Sequence, residues 1–346
     1  MSIFIQIASY RDPELIPTIR DCIQKATYPY NLRFGICWQH AIEDVWDDLS
    51  EFKNDDRFRI MDVPWKDSKG LGWARHHTQL LYQGEKYTMQ IDSHHRFIPS
   101  WDTELIAMME QTGSSKPILT SYAAPYTPGE PLVDPGPYMM VGTKFSDYGT
   151  ILFYPHSIPN SNQLISPVKA RFVSGHFFFT LGQHCYEYKY DPEIYFAGDE
   201  ISLSIRSFTL GYDLYHPHKT IMWHEYIRKA SKKHWDDFNK KINETPAWYE
   251  LDNYSKKKLR HLLQEEDNQI DLGEYGLGKI RSHSDYEMYA GISFKTKRLH
   301  PSTTSGQTPP VNDDTDWVSN HNIVNHNIVN HNIVNHIKKI LNWPLY

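Results

Sequence analysis

The chain has 346 residues, 40% hydrophobic and 23% charged, the composition of a folded protein large enough for one α/β domain with an appendage. A net charge of −6 argues against a basic nucleic-acid-binding surface. The three cysteines, Cys22, Cys37 and Cys185, lie far apart with no C-x-x-C pair, which argues against a disulfide framework and favours a reducing compartment.

Residues 1–9, MSIFIQIAS, lack a basic leader and a long apolar core, and no apolar run approaches the ~20 residues of a membrane span. The expected location is cytoplasmic. Aromatic residues make up 14% of the chain, with 23 Tyr and 10 Trp, a surplus that suits a groove handling sugars or peptides.

The first predicted element, IFIQIASYRDPEL, is a buried strand stopped by a polar turn, with Pro13 near the start of a helix. Leu15, Ile16, Ile19 and Ile23 then recur at helical spacing. Asn31–His40 and Phe58–Trp65 read as strands, Gly70–Gly84 as a glycine-led helix, and Lys86–Asp92 as a fourth strand. This alternation predicts a doubly wound, mostly parallel sheet, whose ligands sit at the carboxyl ends of the strands. The Pro-, Gly- and Tyr-rich stretch from 116 to 166 contains a long loop, YAAPYTPGEPLVDPGPY. Pattern returns at ARFVSGHFFFTLGQHCYE, and a helix is expected from Asp199 to Leu210. From 300 to 319 the core signal fades into a flexible linker. Residues 320–346 hold three copies of Asn-His-Asn-Ile-Val and a tail, read as a spacer without catalytic role.

The chemistry gathers at QIDSHHRF. At a strand end, residues two apart project to one side, so Asp92 and His94 point together into the crevice and Ser93 and His95 turn away. A carboxylate and an imidazole are an incomplete shell for a six-coordinate ion such as Mn²⁺, completed by diphosphate oxygens, another His and water. A plain solvated turn explains D-x-H equally well until context is added.

That context is Tyr195–Lys229, where an aromatic, small residues, adjacent acids, a helix, a strand and a histidine follow in order. The arrangement resembles the GT-A-fold polypeptide α-N-acetylhexosaminyltransferases. More closely, it is similar to the UDP-GlcNAc:polypeptide (hydroxyproline) α-N-acetylglucosaminyltransferase family. The segments that carry the likeness are IFIQIASYRDPEL, GLGWARH, QIDSHHRF, FVSGHFFF, YFAGDE, MWHEY and YGLGKIRSHSDYEMYAGISF, in that order from residue 3 to about 294. The resemblance implies a GT-A domain over 1–299, an α/β fold with a mostly parallel central sheet flanked by helices and an antiparallel portion beyond the metal motif.

It further implies a divalent metal, Mn²⁺ or another, held by Asp92, His94 and His224, with His216 and His218 as rivals for the third place. Asp199, or Glu200 in its stead, matches the acid beside the sugar; a helix-N-terminal acid favoured by the dipole is the structural alternative. Ser9, Tyr10, Arg11 and Asp12 match the nucleotide pocket. Arg75 and His76 match the segment beside the donor, where an Arg offsets diphosphate charge. Gly175 and His176 lie in the segment flanking the donor sugar. The implied reaction is metal-dependent, retaining transfer of a sugar, GlcNAc by resemblance, from a UDP-sugar to a polypeptide or glycan hydroxyl. No nucleophile is named, because retaining GT-A transferases lack an obvious one. Two other classes stay open: a non-catalytic nucleotide-sugar or glycan-binding protein on the same fold, and a metal-dependent hydrolase built on His216–His224. The tandem repeat hints at a variable surface-glycan enzyme.

Overall fold

The computed structural model of the chain describes residues 2–146, 149–229, 231–266, 269–311 and 318–319. The repeat and tail, 320–346, lie outside the described residues. No helix among the described residues is long and apolar enough to cross a membrane.

Strand β1 (Ile3–Tyr10) is buried along almost its whole length because it sits mid-sheet with helices on both faces. Ile3, Ile5 and Ile7 share one face with Leu15, Ile19 and Cys22 of α1 (Leu15–Lys25). β2 (Leu32–His40) and β3 (Phe58–Pro64) pair parallel to one side of β1. Helix α2 (Leu71–Leu80) crosses the opposite face, packed on β1 and β2. Gly35 permits that approach: a Cβ there would lie 2.4 Å from the Phe4 ring and 3.2 Å from the Thr78 carbonyl. β4 (Tyr87–Asp92) then pairs parallel with β1 on its other side. The order thus reverses between β1 and β4, which opens a crevice at their carboxyl ends.

At the end of β4 the chain leaves the main sheet. Ser93 and His94 form the turn, and β5 (His95–Phe97) begins a second sheet. The Thr18 hydroxyl pins this turn, donating to the Ser93 carbonyl at 3.0 Å and accepting from the His95 N–H at 2.8 Å. Then follow α3 (Trp101–Gln111), β6 (Pro117–Thr120), β7 (Ala124–Pro125), the antiparallel hairpin β8 (Tyr138–Phe145) and β9 (Ile151–Ser157), and β10 (Val168–Lys169). β11 (Phe177–Leu181) inserts antiparallel between β4 and β6. After α4 (His184–Glu187) and α5 (Asp199–Thr209) come β12 (Asp213–His216) and β13 (Met222–His224).

The main sheet runs β10–β12–β6–β11–β4–β1–β2–β3, with β10 and β11 reversed against the rest. The predicted mostly parallel sheet with an antiparallel portion after the D-x-H turn is therefore present. Three elements depart from expectation. The helix predicted over Gly70–Gly84 stops at Leu80. The stretch from 116 to 166 holds the β8–β9 hairpin as well as its long loop. Within the expected linker, Pro301–Ser305 is a helix packed on β8, with Ser302 and Thr303 buried. The Arg171 guanidinium donates to Ser302 Oγ at 3.0 Å, the Gln307 carbonyl at 3.1 Å and the Tyr289 carbonyl at 2.9 Å. Polar composition suggested a loose tether; satisfied hydroxyls and carbonyls hold it down instead.

Candidate active site

Asp92, His94 and His224 each present a ligand atom, and those atoms all lie within 4.8 Å of one another. Asp92 ends β4 and His94 follows two residues on, so the strand period puts both at the crevice. His224 arrives from far along the chain because β13 pairs antiparallel with β5 in a register that sets it opposite His95. Its Nε2 lies 3.4 Å from Asp92 Oδ2, and His94 Nε2 lies 3.7 Å from the same oxygen.

Behind them stands Asp12. Its carboxylate takes His94 Nδ1 at 2.8 Å, Ser93 Oγ at 2.8 Å, Arg228 at 3.0 Å and Ser231 Oγ at 3.2 Å. Burial alone would raise its pKa, but the charge of Arg228 and the charge and hydrogen bond of His94 hold it well below the carboxylate range. A carboxylate on Nδ1 leaves His94 Nε2 turned to the cluster, the support common to metal-binding histidines. Burial, reinforced by neighbouring His176, keeps the His224 pKa well below its ordinary value, so its ring is neutral with a lone pair to give. One carboxylate and two imidazoles, so supported, fit a divalent cation of mixed O/N preference.

Arg75 joins this cluster to the start of α5. It is 3% exposed. Its guanidinium donates to Asp92 Oδ1 at 3.0 Å, the Gly175 carbonyl at 2.6 Å, Tyr190 Oη at 2.9 Å and, in a close ion pair, Asp199. Burial pulls the Arg75 pKa down, yet Asp199, Tyr190 and Asp92 outweigh it and the group stays well above its usual value. The Tyr190 hydroxyl donates to the second Asp199 oxygen at 2.6 Å. Glu200 accepts the Gly175 N–H at 3.0 Å, and burial pushes its pKa up to about 7. Only glycine fits at 175: a Cβ would come within 2.8 Å of Asp199 Oδ2 and 2.9 Å of Arg75 Nη1.

The other expected contacts divide. His176 stacks on His224 with centroids 4.4 Å apart, bonded to Ser174 Oγ and to the Ala123 N–H. Ser9 is buried beside the crevice, its hydroxyl without a partner among the described residues. The charges of Arg11 and Asp12, expected in the nucleotide pocket, face protein instead. Arg11 grips Asp44 at 2.6 and 2.9 Å and Asp237 at 3.1 Å, and the Tyr10 hydroxyl also donates to Asp237, at 2.8 Å. A turn this deeply buried needs its charges paired internally. His76 likewise turns its Nδ1 to the Tyr190 carbonyl. His216 is fully occupied, between the Thr120 carbonyl and the Met140 N–H, and His218 stands away from the cluster near Lys219 and Glu104. Geometry thus brings His224, and neither rival, to Asp92.

Sequence reasoning missed Tyr190, which bridges Arg75 and Asp199, and Gln90, whose amide donates to the Gly175 carbonyl at 2.8 Å. Gln90 carried a readable signal, being two residues before Asp92 on the same strand face. Tyr190 carried none, since its role depends on the packing of α2.

A reversing, mostly parallel sheet with an acid–imidazole cluster at its switch point is the architecture of GT-A glycosyltransferases. The Glycosyltransferase (GlcNAc) family model matches residues 2–52 and 46–296, and the chain belongs to that family. No curated protein matches it. Among solved structures it is similar to GalNAc-T7 with UDP, GalNAc and Mn²⁺, at 12% identity and a TM-score of 0.54 over 82% of this chain and 56% of that one. It also matches S. aureus TarS 1–349 in complex with UDP-GlcNAc at 9% identity, with a TM-score of 0.44 over 68% of this chain and 60% of that one. The chain thus spans under two thirds of either.

Proposed function

We propose that the protein is a divalent-metal-dependent, retaining glycosyltransferase that moves a sugar, GlcNAc by family, from a UDP-sugar to a hydroxyl of a polypeptide or glycan. The observation that carries this reading is the meeting of Asp92, His94 and His224 beside the buried Arg75–Asp199 pair. The Mn²⁺, UDP and sugar held by the GalNAc-T7 relative support it.

In this reading Asp92, His94 and His224 hold the cation, which when bound acts as a Lewis acid on the departing diphosphate. Asp12 keeps His94 oriented, and Arg75 fixes Asp92 and Asp199 with one guanidinium, so the ligand cluster and the sugar-facing helix start keep a constant separation. Asp199 is assigned to sugar hydroxyls rather than to attack, because its charge is already neutralised by Arg75 and Tyr190. Glu200, with a pKa near neutrality, can donate or accept a hydrogen bond at the same place. Attack by the acceptor on the face the diphosphate leaves accounts for retention without a protein nucleophile.

The test is UDP release from a panel of UDP-sugars with Mn²⁺, in wild type and Asp92→Ala. Slow, metal-dependent turnover of one donor, lost in the variant, is expected. Turnover that survives both EDTA and Asp92→Ala would overturn the metal-dependent reading.

A further inference from the structure

An aromatic wall stands beside the acids of α5, and the mechanism above leaves it without a role. β6 runs in the same direction as β4, since β11 lies antiparallel to both, so the residues after Thr120 arrive at the crevice. Tyr122 is one of them. Its ring is parallel to that of Tyr226, with planes 3° apart and centroids separated by 6.2 Å. Both rings stand upright to His176, at 83° and 84°, with centroids 5.1 and 5.7 Å away. Tyr226 and His176 in turn pack on the His224 ring, at 4.3 and 4.4 Å. The far end of the wall meets Glu200: burial raises the pKa of both phenols, and the charge of Glu200 raises them further. A sugar whose diphosphate sits at Asp92, His94 and His224, and whose hydroxyls reach Asp199, therefore lies along this wall.

The wall is held from both sides. Tyr226 Oη donates to the Ala123 carbonyl at 2.8 Å, and the Ala123 N–H donates to His176 Nε2 at 3.0 Å, which fixes the backbone next to Tyr122. Two polar atoms stay free. Among the described residues Tyr122 Oη makes no hydrogen bond, and Glu200, which takes the Gly175 N–H on Oε1, keeps Oε2 open. Aromatic rings replace little of the hydration that a sugar hydroxyl loses on binding. They suit a methyl group, and an acetamido substituent adds a carbonyl for a phenol O–H and an N–H for a carboxylate oxygen. We propose that Tyr122, set in place by Tyr226 and His176, selects a 2-acetamido sugar in the donor, packing on its methyl group and donating to its carbonyl while Glu200 accepts its N–H. The inference rests on the UDP-sugar transferase reading of this site.

Donor hydrolysis without any acceptor tests it. The quantities are kcat/KM for UDP-GlcNAc and for UDP-Glc with Mn²⁺, in wild type, Tyr122→Phe and Tyr122→Ala, with UDP affinity as the measure of an intact site. Wild type should prefer UDP-GlcNAc by at least about 10-fold. Tyr122→Ala should shrink that preference by about 10-fold or more, with the loss falling on UDP-GlcNAc. Tyr122→Phe, which keeps the ring and loses one hydrogen bond, should shrink it by about 3- to 10-fold. An unchanged preference in a Tyr122→Ala protein that binds UDP as wild type does overturns this inference alone, the result expected if the wall served the acceptor instead. Should Tyr122→Ala lose UDP, an unchanged preference in Tyr122→Phe overturns it equally. Wild type that turns over UDP-Glc as readily as UDP-GlcNAc overturns the GlcNAc assignment and this inference with it. Wild type that turns over no UDP-sugar overturns the transferase reading and everything resting on it.

Discussion

Replacing Arg75 with Met removes the one cation that buried Asp199 and half-buried Asp92 share. The aliphatic part is kept, so the change strips charge and four hydrogen bonds with little loss of volume. The Gly175 carbonyl still has Gln90 and the Tyr190 hydroxyl still has Asp199, so neither is stranded. Asp92 keeps His224 and its side chain is 25% exposed. Asp199 is 5% exposed and keeps only a neutral phenol. The cost therefore concentrates on one carboxylate, and about 3–5 kcal/mol is expected, the usual penalty for orphaning one half of a buried ion pair. Urea unfolding followed by Trp fluorescence, at pH 7.5 with EDTA, measures it. Asp199→Asn alone leaves the guanidinium with Asp92 as its single carboxylate partner, whereas Arg75→Met with Asp199→Asn removes both members of the Arg75–Asp199 pair and should recover at least about 1 kcal/mol over the sum of the single changes. A loss under about 1 kcal/mol for Arg75→Met, or strict additivity in the double variant, would refute the idea that this pair is the strut between the two parts of the site.

Glu200 makes stability pH-dependent. Its carboxyl is protonated more readily in the fold, about 7 against 4.5, so its contribution is full below pH 4.5 and fades as pH rises toward 7. Glu200→Gln should therefore leave unfolding free energy unchanged near pH 4.5 and raise it by up to about 3 kcal/mol at pH 8, measured in urea without metal. Gly175→Ala should cost about 1–3 kcal/mol by overpacking and abolish donor turnover, because the new methyl displaces Asp199 or Arg75; melting temperature and UDP release check this pair. Asp12→Asn should weaken Mn²⁺ binding about 10-fold or more through the loosened His94, whereas His216→Gln should leave it unchanged while lowering the melting temperature; EPR titration separates them.

Much of the first half was legible because its signals are local. A short, β-branched and aromatic run such as IFIQIA, bounded by a polar turn and Pro13, reads as a buried strand, and D-x-H at the end of the fourth strand places two side chains together by period alone. The choice among His216, His218 and His224 was not legible, because it turns on the register of β13 against a strand far earlier in the chain. The directions of the Asp12 and Arg11 side chains were not legible for a related reason. A polar strand end at a crevice reads as ligand-facing, but these side chains point back, to His94 and to Asp44 and Asp237, and nothing local records that direction. The β8–β9 hairpin was hidden among prolines and glycines, since two short antiparallel strands need only each other to satisfy their backbones.

The hold of Arg171 on the stretch after residue 300 sets where the protein can be shortened. Cutting at 299, where composition suggests the domain ends, would remove Ser302 and Gln307, leaving a buried guanidinium with only the Tyr289 carbonyl. A chain ending beyond Ser319 keeps all three acceptors and the pairing of Val318–Ser319 with Arg298–Leu299. The natural seam for truncation, fusion or tagging therefore lies about twenty residues later than the sequence suggests.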